Sequence, residues 1–193
     1  MAKTKITPKM LKQTKFIQKE VQRITEQNYK AIAKVFVDFG NDTEKQFAKI
    51  TMQDLKWDVL KSRLDIVLST NSKRSTKSFV NFLNKLFDFK LKTDRIETVE
   101  NETVNQYAKE LAKKVTYVTE TTKNQIASLI DNNKGLNTND LAKLINEKFV
   151  EISKGRAKTI SRTESANLFN NANLNTAQEV GLKYKTYIHG VSS

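Results

Sequence analysis

A single proline, Pro8, and five glycines are all that interrupt 193 residues. Proline removes a helical hydrogen bond and glycine costs about 1 kcal/mol in a helix interior. A chain so short of both is constrained to long helices. The apolar residues agree. Ile17, Val21, Ile24, Ile32, Val35 and Phe36 recur at helical spacing, as do Ile96, Val99, Tyr107, Leu111, Val115, Val118, Ile126, Leu129 and Ile130. The expected architecture is mainly α: an elongated bundle of long helices with a small C-terminal helix-plus-strand module.

Read in order, a first helix starts at Thr7-Pro8, where proline suits the first helical position, and ends at Gly40-Asn41. Thr43 then caps a helix carrying Phe47 and Ile50. The pattern resumes through Leu55, Trp57, Leu60, Leu64, Val67 and Leu68, with Thr51 and Asp54 as a helix-start box. Trp57, the lone tryptophan, reads as core. Ser69–Ser78 is polar throughout and reads as a loop carrying Lys73, Arg74 and Lys77. Small hydroxyls beside bases suit phosphate contacts, and equally any solvated loop. Phe79, Phe82, Leu83, Leu86 and Phe87 form a short aromatic helix whose spacing favours a packed core over base stacking or docking on a partner.

Lys92-Thr93-Asp94 marks a boundary, giving a basic N-terminal helical region over 1–92 and a C-terminal module over 93–193. A long helix spans Asp94 to Asp131, with threonines at 116, 119, 121 and 122 as a site for a kink. Asn137, Thr138 and Asn139 offer caps for a helix over Leu141–Val150. Ser153-Lys154-Gly155 turns into the last helix. Its stripe is Ala157, Ile160, Leu168, Leu174, Ala177 and Val180, and Gly181 provides a left-handed stop. Leu182, Tyr184, Thr186 and Ile188 then alternate as a half-buried strand. Arg162 and Glu164, two apart, face different sides of this helix and must find partners elsewhere.

The formal net charge of +13 suits an anionic partner, whether nucleic acid, an acidic protein surface or anionic lipid. Its densest part is the N-terminus. Lys3, Lys5, Lys9, Lys12, Lys15 and Lys19 fall within nineteen residues that hold no acid. Two readings stay open there, a DNA-contacting arm and a merely soluble basic helix. Cysteine is absent, so disulfides and thiolate metal sites are excluded. No apolar run approaches the ~20 residues of a membrane span. The lysine-rich start lacks the apolar stretch of a secretion signal. The expected location is the cytoplasm or a particle assembled there.

Little in the sequence is catalytic. His189 is the one histidine, too few for an ordinary zinc site, and glycine-rich phosphate loops are missing. Glu97, Glu100 and Glu102 alternate with other polar residues as a solvated face does. The expectation is a non-enzyme without cofactor or metal.

Arg156-Ala157, Ile160, Arg162-Thr163-Glu164, Asn167 and Asn170-Asn171, followed by Glu179-Val180-Gly181-Leu182-Lys183, stand in a recognisable order. This line resembles the signature of the phage head morphogenesis family, the Mu F-like minor head proteins. The preceding Leu141-Ala142-Lys143-Leu144-Ile145 with Phe149 resembles that family's upstream helix. The family pattern continues into an aspartate-arginine-rich segment, whereas this sequence reaches only His189-Gly190-Val191-Ser192-Ser193, as expected of a short or truncated member. The resemblance implies a minor capsid protein at the portal vertex or inside the capsid, in the host cytoplasm during assembly. Its partners would be portal protein, other capsid proteins and double-stranded DNA bound without sequence preference, with no membrane and with several copies assembling. It would act in head assembly or genome ejection. DNA contacts would fall to the N-terminal lysines and to Lys73, Arg74 and Lys77. Arg156, Arg162, Thr163, Glu164 and Asn167 would brace the module or touch a partner. The alternative is a free helical nucleic-acid-binding protein.

Overall fold

The computed structural model describes residues 8–46 and 55–182. The described chain is mainly α, as four helices: α1 (Pro8–Gln46), α2 (Trp57–Phe87), α3 (Thr93–Asn132) and α4 (Thr138–Glu179). At 1.5 Å per residue the 42-residue α4 is about 63 Å long, so the bundle is elongated as expected.

Contacts between helices fix the topology. Arg63 of α2 reaches Asp42 of α1 at 2.7 Å, and Asn28 of α1 donates to Ser75 of α2 at 3.1 Å, so these helices run antiparallel. Phe39 packs on Phe149, while Asn28 also donates to Ser165, so α1 is antiparallel to α4. Lys114 pairs with Glu164, and Arg95 with Glu179, both at 2.9 Å, which sets α3 antiparallel to α4. The order is up-down-up-down, the topology that short connections favour. α1 and α2, before Lys92, and α3 and α4, after it, bury side chains in one core cluster. Phe36, Phe79, Phe149, Leu64, Ile126 and Leu168 are among its fully buried members. Phe39, Trp57 and Phe149 close one end, and Phe79 meets Phe169 edge-on at 5.3 Å further along.

Several expected breaks are helix. α1 passes through Gly40-Asn41 and is helical as far as Gln46, where this run of described residues stops. A Cβ on Gly40 would lie 2.7 Å from the Cβ of Phe149, so this glycine allows α1 and α4 to approach rather than stopping α1. Thr43 is not a cap: it is buried inside α1 and donates to the Phe39 carbonyl at 2.8 Å. Phe47, Ile50, Thr51 and Asp54 lie outside the described residues.

The clearest correction concerns Ser69–Ser78, which is the middle of α2 and not a loop. Asn71, Ser72, Ser75 and Thr76 are buried there and continue the period of Leu60, Leu64 and Leu68 into Phe79, Val80 and Leu83. The aromatic segment is the end of the same helix. The threonines of α3 do not break it: the helix is continuous from Thr93 to Asn132, and Thr119, Thr121 and Thr122 donate to the carbonyls of Val115, Tyr117 and Val118 one turn back. Ser153–Gly155 is likewise interior to α4.

Other expected signals act as read. Asn137 caps α4, accepting from the Asp140 amide at 3.0 Å. Gly181 takes φ 72, with Leu182 N–H bonded to Ala177 and Gly181 N–H to Gln178, a Schellman stop. Among the described residues there is no strand. The strand expected over Leu182–Ile188 lies, beyond Leu182, outside them, so the small helix-plus-strand module is not seen. α4 is instead continuous with the bundle. No helix among the described residues is long and apolar enough to cross a membrane.

Candidate nucleic-acid interface

Lys9, Lys12, Lys15 and Lys19 are exposed on the first turns of α1. At about 100° per residue the four fall within roughly a third of the helix circumference. Ile17 and Ile24 occupy the buried side. Phe16 sits within the lysine arc and is 47% exposed. None of the four lysines makes an ion pair among the described residues, and the first turn of α1 holds no acid. Lysines near a helix N-terminus oppose the macrodipole and reinforce its positive end. That placement weakens the helix locally and concentrates a positive field, a combination that suits an anionic ligand. Lys3 and Lys5 lie outside the described residues.

Lys73 and Lys77 are exposed one turn apart on α2. Arg74 is exposed as well, but its guanidinium is tied down, donating to Asn28 Oδ1 at 3.3 Å and to Asn71 Oδ1 at 3.2 Å. The structure does not merge this group with the α1 lysines. Ser75 stands level with Asn28, whereas Lys19 is about 14 Å further along α1.

The family-like residues of α4 divide by face. Arg156 is half-buried and donates to the Val118 carbonyl, Thr122 Oγ1 and Gln125 Oε1 at 3.2, 2.8 and 3.1 Å. Burial lowers its pKa from the ordinary arginine value. Glu164 is buried and accepts from Lys114 Nζ at 2.9 Å. Lys114 also lies 4.7 Å above the Tyr107 ring and 3.3 Å from Glu110. Burial first, and the Glu164 carboxylate next, push the Tyr107 phenol well above its usual range. Arg162, Thr163 and Asn167 are exposed. Arg162 makes no ion pair among the described residues. Arg162 and Glu164 therefore face different sides of α4, and of the two only Glu164 pairs with another helix among the described residues.

Sequence reasoning missed the polar hub between these groups. The Asn28 amide donates to Ser75 Oγ and Ser165 Oγ, joining α1, α2 and α4. Beside it a cavity of about 10 Å³, room for a single water, is lined from all four helices, by Asn71, Tyr107 and Glu164 among others. Asn175 repeats the device lower down, donating to Thr103 Oγ1 at 2.9 Å. The signal was present as serine, threonine and asparagine standing at core positions of an unbroken helical period. Among the described residues no cluster of three or more His, Cys, Asp or Glu could hold a metal ion. No family model, curated protein or solved structure matches the chain.

Proposed function

We propose that this chain is a phage minor head protein, associated with the portal and with packaged double-stranded DNA, acting in head assembly or genome delivery. The observation that carries the DNA part is the arc of four exposed lysines on α1, free of ion pairs among the described residues. Such an array gains affinity by releasing counterions from a duplex, and binding falls steeply with salt. Nothing in it reads base edges, so binding is independent of sequence. The head placement rests on the ordered line from Arg156 to Lys183. In this reading Arg156 and Glu164 brace α4 against α3, while Arg162, Thr163 and Asn167 are left for an intermolecular contact. The expected helix-plus-strand module, α4 with the segment after Gly181, belongs to the same proposal. The protein works in the virion without catalysis.

A second reading, a free helical nucleic-acid binder, explains the charge but not that ordered line. Capture of portal and capsid proteins on immobilised protein, with and without nuclease and at low and high salt, separates the two. Portal retained after nuclease at high salt supports the head protein. Loss of every partner on nuclease treatment refutes it and leaves the free binder.

A further inference from the structure

α4 carries a second cationic surface that the lysine arc does not explain. Between Glu151 and Glu179 the only acid in the sequence is Glu164. Glu164 is buried and neutralised by Lys114. The outward side of this long stretch therefore presents no negative charge. Lys154, Lys158 and Arg162 are exposed on it at every fourth position, about 6 Å apart along the axis. None makes an ion pair among the described residues. Exposed Thr159, Thr163 and Asn167 lie beside them and supply hydroxyl and amide donors.

The contrast with α3 excludes a simple surplus of charge. Exposed Lys109 and Lys113 there stand among exposed Glu102, Glu110 and Glu120. A solvated face usually mixes signs in that way. A face emptied of acid, lined by cations at regular spacing and edged with neutral donors, complements a phosphate backbone.

We propose that the Lys154–Lys158–Arg162 face of α4 binds the phosphate backbone of duplex DNA as a second contact surface, separate from the α1 arc. This rests on the DNA-binding reading above and names what Arg162 touches. The alternative occupant, an acidic surface of a capsid protein, is an outcome of the test.

The full chain is titrated against a fluorescently labelled duplex of about 30 base pairs, from 50 to 200 mM salt. Compared are wild type, K154Q/K158Q/R162Q, a control K109Q/K113Q/K143Q that removes equal charge elsewhere, and K9Q/K12Q/K15Q/K19Q. Each phosphate contact contributes about 0.9 to the slope of log affinity against log salt. Losing three should flatten the slope by about 2.7, so the fourfold rise in salt weakens binding about 40-fold less than in wild type. The control should flatten it much less, and melting of all variants should stay near wild type. An α4 variant indistinguishable from the control, with the α1 variant impaired, overturns this inference and leaves the α1 reading standing. Unchanged slopes in both variants overturn both. An α4 variant that keeps its DNA slope but no longer captures capsid proteins reassigns the face to a protein partner and overturns the inference too.

Discussion

Replacing Gly40 by alanine tests how closely α1 and α4 are held together. Helix propensity alone favours alanine by about 1 kcal/mol. Packing opposes it, because the new Cβ would lie 2.7 Å from Phe149 Cβ and 2.8 Å from Asn146 Oδ1. The asparagine can rotate away, but the Phe149 Cβ is tied to the α4 backbone. Its ring is fully buried, 5.3 Å from Phe39 and 6.5 Å from Trp57. Relief therefore requires α4 to move outward and open the aromatic end of the core. Overpacking of this kind costs about 1–3 kcal/mol. At the middle of that range the net expectation for G40A is a loss of about 1 kcal/mol, which lowers Tm by about 2–4 °C in a domain of this size. Gly155 is the matched control. It is exposed inside α4, and a Cβ there meets nothing within 4 Å. G155A should gain about 0.5–1 kcal/mol and raise Tm by a few degrees. Thermal melts of both variants by circular dichroism suffice. A G40A protein that melts at or above wild type would refute the close approach, and with it the reading of Gly40 as a packing residue.

Removing the buried carboxylate in E164A leaves Lys114, whose side chain is 24% exposed, with the exposed Glu110 and the Tyr107 ring as its remaining partners. A loss of about 1.5–3 kcal/mol is expected, below the cost of a fully buried pair, whereas R162A at an exposed site should stay within about 0.5 kcal/mol; equal melting of the two variants in urea titrations would contradict the assigned facing. The raised Tyr107 phenol means that folding favours the neutral form, so this stabilisation is complete below about pH 10, the unfolded value, and falls as pH rises above it. Y107F should lose that alkaline dependence, and urea midpoints that decline in parallel for both proteins between pH 9 and 11 would count against it.

The fold class was legible because it depends on what the chain lacks. One proline at a helix start and few glycines leave long helices as the only regular option, and Asn137 and Gly181 mark a cap and a stop by local chemistry alone. The misread positions share a different cause. Gly40, Gly155 and Ser69–Ser78 have the composition of breaks, but composition does not say which residue faces which helix. In α2 the period of the apolar residues runs unbroken through the polar stretch, with Asn71, Ser72, Ser75 and Thr76 standing where leucines would otherwise be. Local polarity suggested a loop, but those four residues are buried and Ser75 pairs with Asn28 across the core. The candidate site divides in the same way. Exposed lysines were legible because charge density needs no partner to be read. The bond of Arg74 to Asn28 and the pairing of Glu164 with Lys114 depend on α1 and α3, which no spacing within their own helices reveals.

The hub and Gly40 together explain why these helices hold one register. Isoleucine, leucine and phenylalanine layers are similar from turn to turn, so antiparallel helices can slide by one turn, about 5.4 Å, at modest loss. Asn28 lies one turn from Ile24 and one turn from Ile32 on the buried face of α1. Sliding α1 one turn in its N-terminal sense would carry Asn28 from Ser75 and Ser165 to Phe79 and Phe169, which pack edge-on against each other. An amide buried there without a partner costs about 1–3 kcal/mol. Sliding in the opposite sense brings Asn28 to Asn71 and Ser161, which are polar enough to receive it, so the hub alone does not forbid that move. Gly40 does. The same slide would put Phe36 where Gly40 now meets Phe149, in a gap too narrow for even a methyl group. Polar chemistry at mid-bundle blocks one direction and a missing side chain near the end blocks the other.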